Sequence, residues 1–188
     1  MDRESEETLF DQARKWIASD PDPETAKELQ ALVEARSVAE LRERLSSPLA
    51  FGTAGLRGLV GAGPARMNRA VVVRTTRALV DYLLVHEPEA RTLPVIVGFD
   101  ARHSSRALAE AAMQVLAAAR IPVRYFAEPA PTPLVAYAIQ RLSGTAGIVV
   151  TASHNPGEYN GYKLYASNGV QVVPPMDADI ERRLSSMG

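Results

Sequence analysis

The stretch Leu93-Pro-Val-Ile-Val-Gly-Phe-Asp-Ala-Arg-His-Ser-Ser105 decides the fold. Its first half, Leu93 to Phe99, is an almost continuous apolar run, as expected of a strand covered on both faces rather than one alternating towards water. Its second half turns polar at Asp100 and then offers Ser104 or Ser105 as the start of an alanine-rich helix. The same alternation continues outward. Val123 to Ala127 reads as a second strand, Thr132-Pro133 opens another helix, and Ala146 to Val150 reads as a third strand. This order predicts a β-α-β-α-β core, and the fold class is α/β with a mixed, largely parallel sheet layered between helices.

Towards the N-terminus, Asn68 is placed to cap a helix running to about Val85, although the β-branched run Val71-Val72-Val73 weakens it. Phe51 to Gly63 reads as a glycine-rich loop. Residues 1–45 form a separate helical arm: Leu9, Phe10, Ala13, Trp16 and Ile17 recur at helical spacing, and Asp22-Pro23 supplies a cap and a first-turn proline. Ser37 with Glu40 reads as a capping box. Trp16 and the arm's leucines are expected in a core rather than a site. At the other end, Tyr162 to Ala166 and Val170 to Val173 flank Asn168-Gly169 and predict a C-terminal β-hairpin, followed by a short helix from about Asp177. Residues 46–188 then make one domain.

The chain has no cysteine, which excludes a disulfide scaffold, thiolate metal sites and a thiol nucleophile. Its only histidines, His86, His103 and His154, make a histidine-built metal cage a poor expectation. No apolar run reaches membrane-spanning length and the acidic start MDRESEE is unlike a signal peptide, so the expectation is a cytoplasmic protein without a membrane partner. Through Glu43 there are six Lys/Arg against twelve Asp/Glu, while the remainder has fifteen against ten. Between Glu43 and Asp81 lie Arg44, Arg57, Arg66, Arg69, Arg74 and Arg77 with no carboxylate, a field that favours an anionic ligand. For Arg69, Arg74 and Arg77 the competing reading is a solvated helix face. The stretch lacks interleaved aromatics, so nucleic acid is not expected. Nothing in the sequence fixes an oligomeric state.

In an open α/β sheet, ligands gather at the carboxyl ends of the strands. Two polar, hydroxyl-rich loops fall there: Gly98 to Ser105, and Thr151-Ala152-Ser153-His154-Asn155-Pro156-Gly157. Ser153 is a candidate nucleophile, but it lacks the G-x-S-x-G elbow, and His154 as its immediate neighbour is poorly placed to be its base. Phosphoryl chemistry suits the loop better, because no carboxylate occurs there before Glu158 and backbone N–H groups are available.

The motif TASHNP at Thr151 to Pro156, followed by Asn160-Gly161-Tyr162-Lys163, resembles the active-site serine loop of the α-D-phosphohexomutases, the phosphoglucomutase and phosphomannomutase family. FGTAGLRG at Phe51 to Gly58, FDAR at Phe99 to Arg102 with Ser104-Ser105, and PTPL at Pro131 to Leu134 match further landmarks in order. The resemblance covers the chain from about Leu45. The GTAGLRG and Met67-Asn68 wording is similar to the branch holding phosphoglucomutase 2, phosphopentomutase and glucose-1,6-bisphosphate synthase.

The resemblance implies that Ser153 is carried as a phosphoserine. It would donate its phosphoryl group to a sugar monophosphate, giving a bisphosphate whose other phosphate returns to the enzyme. It implies Mg2+ held by the Ser153 phosphate and by aspartates. It also implies four domains, with the metal-binding D-G-D-G-D motif in the second and a phosphate-binding loop in the fourth. Neither motif occurs here, so residues 46–188 correspond to domain I, the serine domain, and alone would be inactive. Arg57 matches a family arginine beside the phosphoserine, the alternative being a surface ion pair. Lys163 matches the lysine considered for proton transfer, the alternative being a strand-surface lysine. His154 either contacts substrate or orients the loop. Thr151, Asn155 and Asn160 are expected to support the loop, the two asparagines through side-chain to backbone bonds. Asp100 and Arg102 either brace the serine loop or are a helix-capping aspartate with a solvated arginine.

The implied function is a phosphosugar mutase interconverting glucose 1-phosphate and glucose 6-phosphate through a phosphoserine and a sugar bisphosphate. Phosphopentomutase, phosphomannomutase and sugar-bisphosphate synthase are alternatives within the family. A non-catalytic phosphate-binding module is the alternative of another class.

Overall fold

A computed structural model describes residues 3–52 and 55–187, with side chains from residue 6 onward. Three helices come first: α1 (Arg3–Ser19), α2 (Pro23–Glu34) and α3 (Val38–Leu45). Leu9, Phe10, Ala13, Leu29 and Leu41 close into a small core of their own, which also takes in Ala62 of the body. Helix α2 begins as its sequence suggests, with Pro23 in the first turn and the Asp22 carboxylate accepting from the Glu24 N–H at 3.0 Å. The capping box expected at α3 does not form. Ser37 precedes the helix, but Arg36 is left-handed (φ 51°) and Ser37 sits at ψ 70°, outside extended cap geometry, and its hydroxyl makes no capping bond. Glu40 meets Arg44 instead, at 3.3 Å.

The body then alternates: β1 (Leu56–Leu59), α4 (Arg69–His86), β2 (Val95–Phe99), α5 (Ser105–Ala118), β3 (Val123–Tyr125), α6 (Thr132–Arg141), β4 (Ala146–Val150), β5 (Tyr159–Ala166) and α7 (Met176–Ser185). The sheet order is β1-β5-β4-β2-β3. β2 pairs in parallel with β3 and β4, while β5 runs antiparallel between β4 and β1. Every residue of β2 and β4 is buried, as their apolar runs require. Val95, Val97, Ile148 and Val150 join the core with α4, α5 and α7, whereas Ile96 and Val149 pack with Val135 and Ile139 of α6. Two faces covered by helices make the layered arrangement. No helix among the described residues is long and apolar enough to cross a membrane.

Helix α4 forms despite Val71-Val72-Val73, because Val71 and Val72 are buried and burial outweighs the small propensity cost. Its Asn68 cap accepts from the Val71 N–H at 2.9 Å, as expected. Two other expectations change. Arg57 lies on strand β1 rather than in a loop, because the open edge of β5 accepts Leu56–Leu59 as a fifth strand. Thr53 and Ala54 of the FGTAGLRG motif lie outside the described residues. The hairpin closes at its turn, where the Gly169 N–H bonds Ala166 O at 2.9 Å with Gly169 left-handed (φ 73°), and the return is tied to β5 by the Ala166 N–H to Val170 O (2.9 Å) and the Val172 N–H to Leu164 O (3.0 Å). Val170 to Val173 is not a strand and returns along β5 through a single bridge, Tyr165 to Gln171. β1 already occupies that edge of β5 up to Tyr162, and Pro174 ends the return.

The arginines of the carboxylate-free stretch meet the acidic arm in space. Arg44 pairs with Glu28 at 2.6 Å and Arg66 with Glu43 at 2.8 Å. Arg77 pairs with Asp81 on an exposed face, but Arg74 donates to the Met187 carbonyl and lies over the Trp16 ring, and Arg69 bonds Gln114. The expected anion-favouring field is therefore broken up: among the described residues Arg57, Arg69 and Arg74 pair with no carboxylate, and of these Arg57 bonds into the serine loop.

Candidate active site

Ser153 stands at the end of β4, exposed, with its backbone left-handed at φ 57°. A non-glycine residue there costs roughly 1 kcal/mol, so surrounding bonds must hold it. Thr151 is one of them. Its buried hydroxyl accepts from the Ser153 N–H at 2.9 Å and donates to Asp100 Oδ2 at 2.6 Å. The Asn155 N–H closes the turn on Ala152 O at 3.1 Å.

Arg102 supplies the rest. Its Nη1 donates to the carbonyls of Pro156 (2.5 Å) and Tyr159 (3.0 Å), its Nη2 to those of Ser153 (3.1 Å) and Asn155 (2.6 Å), and its Nε to Asp100 Oδ2 at 3.0 Å. A guanidinium has five N–H donors in one plane, and here each has an acceptor. Asp100 is equally occupied, its Oδ1 accepting from the Ser105 hydroxyl at 2.6 Å and the Arg102 N–H at 3.1 Å. Burial alone would push the Asp100 carboxyl up, but the bonds from Ser105, Thr151 and Arg102 outweigh it and hold the group below the ordinary aspartate value. The pair thus braces the serine loop, and the capping reading is set aside.

The two asparagines divide: Asn160 makes the expected side-chain to backbone bond, and Asn155 does not. Asn160 is fully buried and donates through Nδ2 to Ser104 Oγ (2.8 Å) and Ser105 Oγ (2.9 Å), while its Oδ1 accepts from the Gly161 N–H. Asn155 spends its side chain on another side chain: its Oδ1 accepts from Arg57 Nη1 at 3.1 Å. Ser104 and Ser105 carry structural roles that residue reasoning did not assign. Two hydroxyls directly after a strand-end aspartate were the available signal. His154 is exposed, and its side chain has no partner among the described residues. Among the described residues its side chain makes no bond that orients the loop.

Arg57 and Lys163 reach the same place from adjacent strands. Arg57 pairs in register with Gly161, so Lys163, two residues along β5, shares its face of the sheet. Partial burial and then the Arg57 charge hold the Lys163 ammonium below the ordinary lysine value. Gly55 (φ 80°) lets β1 start against β5, since a Cβ there would overlap the Tyr162 carbonyl.

An exposed hydroxyl on a braced turn, with a fixed guanidinium bonded into the same loop and a lysine of lowered proton affinity beside it, is suited to holding and transferring a phosphoryl group. Among the described residues no three His, Cys, Asp or Glu side chains gather into a metal site, and Asp100 has both oxygens committed to internal donors. These residues do not by themselves fit a magnesium site.

Comparison with known proteins agrees with this geometry. Residues 48–187 match the phosphoglucomutase/phosphomannomutase α/β/α domain I. The chain is 36% identical over 182 residues to mouse phosphopentomutase, covering 94% of this chain and 29% of that one. It is 38% identical over 172 residues to human glucose 1,6-bisphosphate synthase, covering 88% and 28% respectively. Among solved structures, a phosphomannomutase-like protein of Thermus thermophilus superposes with a TM-score of 0.65 at 33% identity over 73% of this chain and 30% of that one. The chain thus spans less than a third of these relatives. It belongs to the phosphoglucomutase/phosphomannomutase family and carries the α/β/α domain I of that family.

Proposed function

We propose that this chain is the serine domain of a phosphosugar mutase, with Ser153 the residue that carries the phosphoryl group. The observation that carries the reading is the braced left-handed turn at Ser153 tied through Asn155 to Arg57. In the forward step a sugar-phosphate hydroxyl attacks the phosphorus of phosphoserine 153. The P–O bond to Ser153 Oγ breaks, and the hydroxyl proton passes to the Lys163 amine in its neutral form. The resulting bisphosphate turns round, the Ser153 Oγ freed in the first step attacks its other phosphate, the P–O bond to the sugar oxygen breaks, and the Lys163 ammonium returns its proton to that oxygen as the isomeric monophosphate leaves. Arg57 holds phosphate oxygens throughout, as its permanent charge and planar donors allow. Magnesium would enter as a partner of the Ser153 phosphate, its remaining ligands lying outside residues 1–188.

The substrates are sugar phosphates and a sugar bisphosphate. Glucose 1-phosphate is the first expectation, and the relatives named phosphopentomutase and glucose 1,6-bisphosphate synthase support a pentose phosphate or a glucose bisphosphate equally well. Intact mass and peptide mapping of the natural full-length protein should find one phosphoryl group on Ser153. Ser153→Ala should abolish turnover of both ribose 1-phosphate and glucose 1-phosphate. Near-normal turnover in that variant overturns the reading, and phosphate binding without turnover in the wild type favours a binding module.

A further inference from the structure

Beyond β1 the chain passes through Gly61-Ala62-Gly63 to the Asn68 cap of α4, and there the arm takes hold of it. The Ala62 N–H donates to Glu28 Oε2 at 3.0 Å, and the Ala62 carbonyl accepts from Arg44 Nη1 at 3.3 Å. Glu28 and Arg44 pair with each other at 2.6 Å. Both backbone polar groups of Ala62 are thus bonded by one ion pair from α2 and α3, and the Ala65 N–H bonds the Arg44 carbonyl at 3.0 Å. The flanking glycines make room. A Cβ at Gly61 would lie 3.1 Å from Arg44 Nη1, and one at Gly63 (φ 100°) would lie 2.7 Å from Arg44 O.

The gripped loop is bonded in turn to the site. The Val60 N–H donates to Glu158 O at 2.8 Å, joining the end of β1 to the end of the serine loop, and the Met67 N–H donates to Leu59 O at 2.7 Å. Arg57 sits between the gripped loop and its own bond to Asn155. We propose that the helical arm is a positioning element of the active site, in which Glu28 and Arg44, by gripping Ala62, fix β1 and hence the placement of Arg57 against the serine loop. This rests on the reading of Arg57 as a phosphate-holding residue, but the grip can be measured without it.

The test compares Glu28→Ala, Glu28→Gln and Arg44→Lys with Glu40→Gln, which also removes a partner of Arg44 but touches nothing in the loop. In this chain, Glu28→Ala should speed amide hydrogen exchange at Val60 and Ala62 by about ten-fold or more. Lys163, followed by NMR of its side chain, should titrate closer to an ordinary lysine as Arg57 moves away. Glu28→Gln keeps an acceptor for Ala62 and should fall between, while Glu40→Gln should match wild type. In the natural full-length protein the limb over which turnover rises with pH should move to higher pH in Glu28→Ala. A loss of folded molecules would lower turnover without moving that limb. A folded Glu28→Ala with unchanged exchange at Val60 and unchanged Lys163 titration overturns the proposal. If Glu28→Ala does not fold, the same readouts on Glu28→Gln and Arg44→Lys decide it. A wild-type protein without mutase activity would sink the mutase reading, while the exchange and titration results would still judge the grip.

Discussion

The helical arm and the serine loop are both appendages of the sheet, yet different forces hold them. The arm buries Leu29 and Leu41 completely and closes a core of leucine, phenylalanine and alanine against Ala62. From Ser153 to Glu158 the serine loop buries no side chain fully, and donors from Arg102 and Arg57 together with the accepting Thr151 hydroxyl fix it. Apolar contact is non-directional and scales with area, so it secures an element without specifying its position finely. Hydrogen bonds weaken steeply with distance and angle, so a loop with several donors from one guanidinium is set in place. Stability should therefore reside mainly in the first kind of region and positioning in the second. The Ala62 grip is the place where the arm uses the loop's method.

Breaking chemistry alone should give the largest effect. Under the proposed function, Lys163→Met is expected to lower turnover of the natural full-length protein by roughly 10²–10⁴-fold with little change in substrate affinity, the usual range for losing a general acid–base group. Because the lysine's proton affinity is lowered, wild-type turnover should climb with pH earlier than an ordinary lysine would allow, and Arg57→Gln should push that limb upward. A Lys163→Met enzyme that loses affinity but keeps its turnover would reduce Lys163 to a phosphate contact.

The next effect separates the two regions directly. Leu29→Ala removes a fully buried side chain from the arm and should cost about 2–4 kcal/mol in denaturant unfolding, leaving amide exchange at Ser153 unchanged. Arg102→Met should do the reverse. Water can reach several of the freed carbonyls, so the stability loss should be only about 1–2 kcal/mol. Ser153 exchange should accelerate, and turnover should fall by about ten- to a hundred-fold as the nucleophile loses its position. If Arg102→Met unfolds the chain as readily as Leu29→Ala and spares turnover, the division between the two regions is wrong.

Acid gives the smallest and most selective perturbation. The folded Asp100 carboxyl titrates below its unfolded value, so its contribution is complete above the unfolded value of about 4 and is lost as pH falls through the lower folded value. Protection of the Ser153 amide should thus persist at about pH 5 and decline only below about pH 4. Ser105→Ala, which removes one donor to Asp100 without touching the acceptor of the Ser153 N–H, should raise the onset of that decline. Loss of protection already near neutral pH would mean that Asp100 does not govern the turn.

Local signals in the sequence determined much of this molecule. The apolar runs of β2 and β4, the Asp22 and Asn68 caps, and two hydroxyl-rich loops at strand ends are all written within a few consecutive residues, because periodicity and capping act over one or two turns of chain. The family motif marks Ser153, Arg57 and Lys163 by residue type and spacing alone. Tertiary structure alone decided what those residues touch. Arg57 meets Asn155 across 98 residues, and Arg102 reaches carbonyls more than 50 residues away, partners that depend on strand register and sheet order. The same long-range competition gave an edge of β5 to β1 and left Val170 to Val173 without a strand. Ser37, well placed by sequence to cap α3, lost that role to a left-handed Arg36. A chain's local code specifies which elements form, but pairing across the sheet decides where their side chains point.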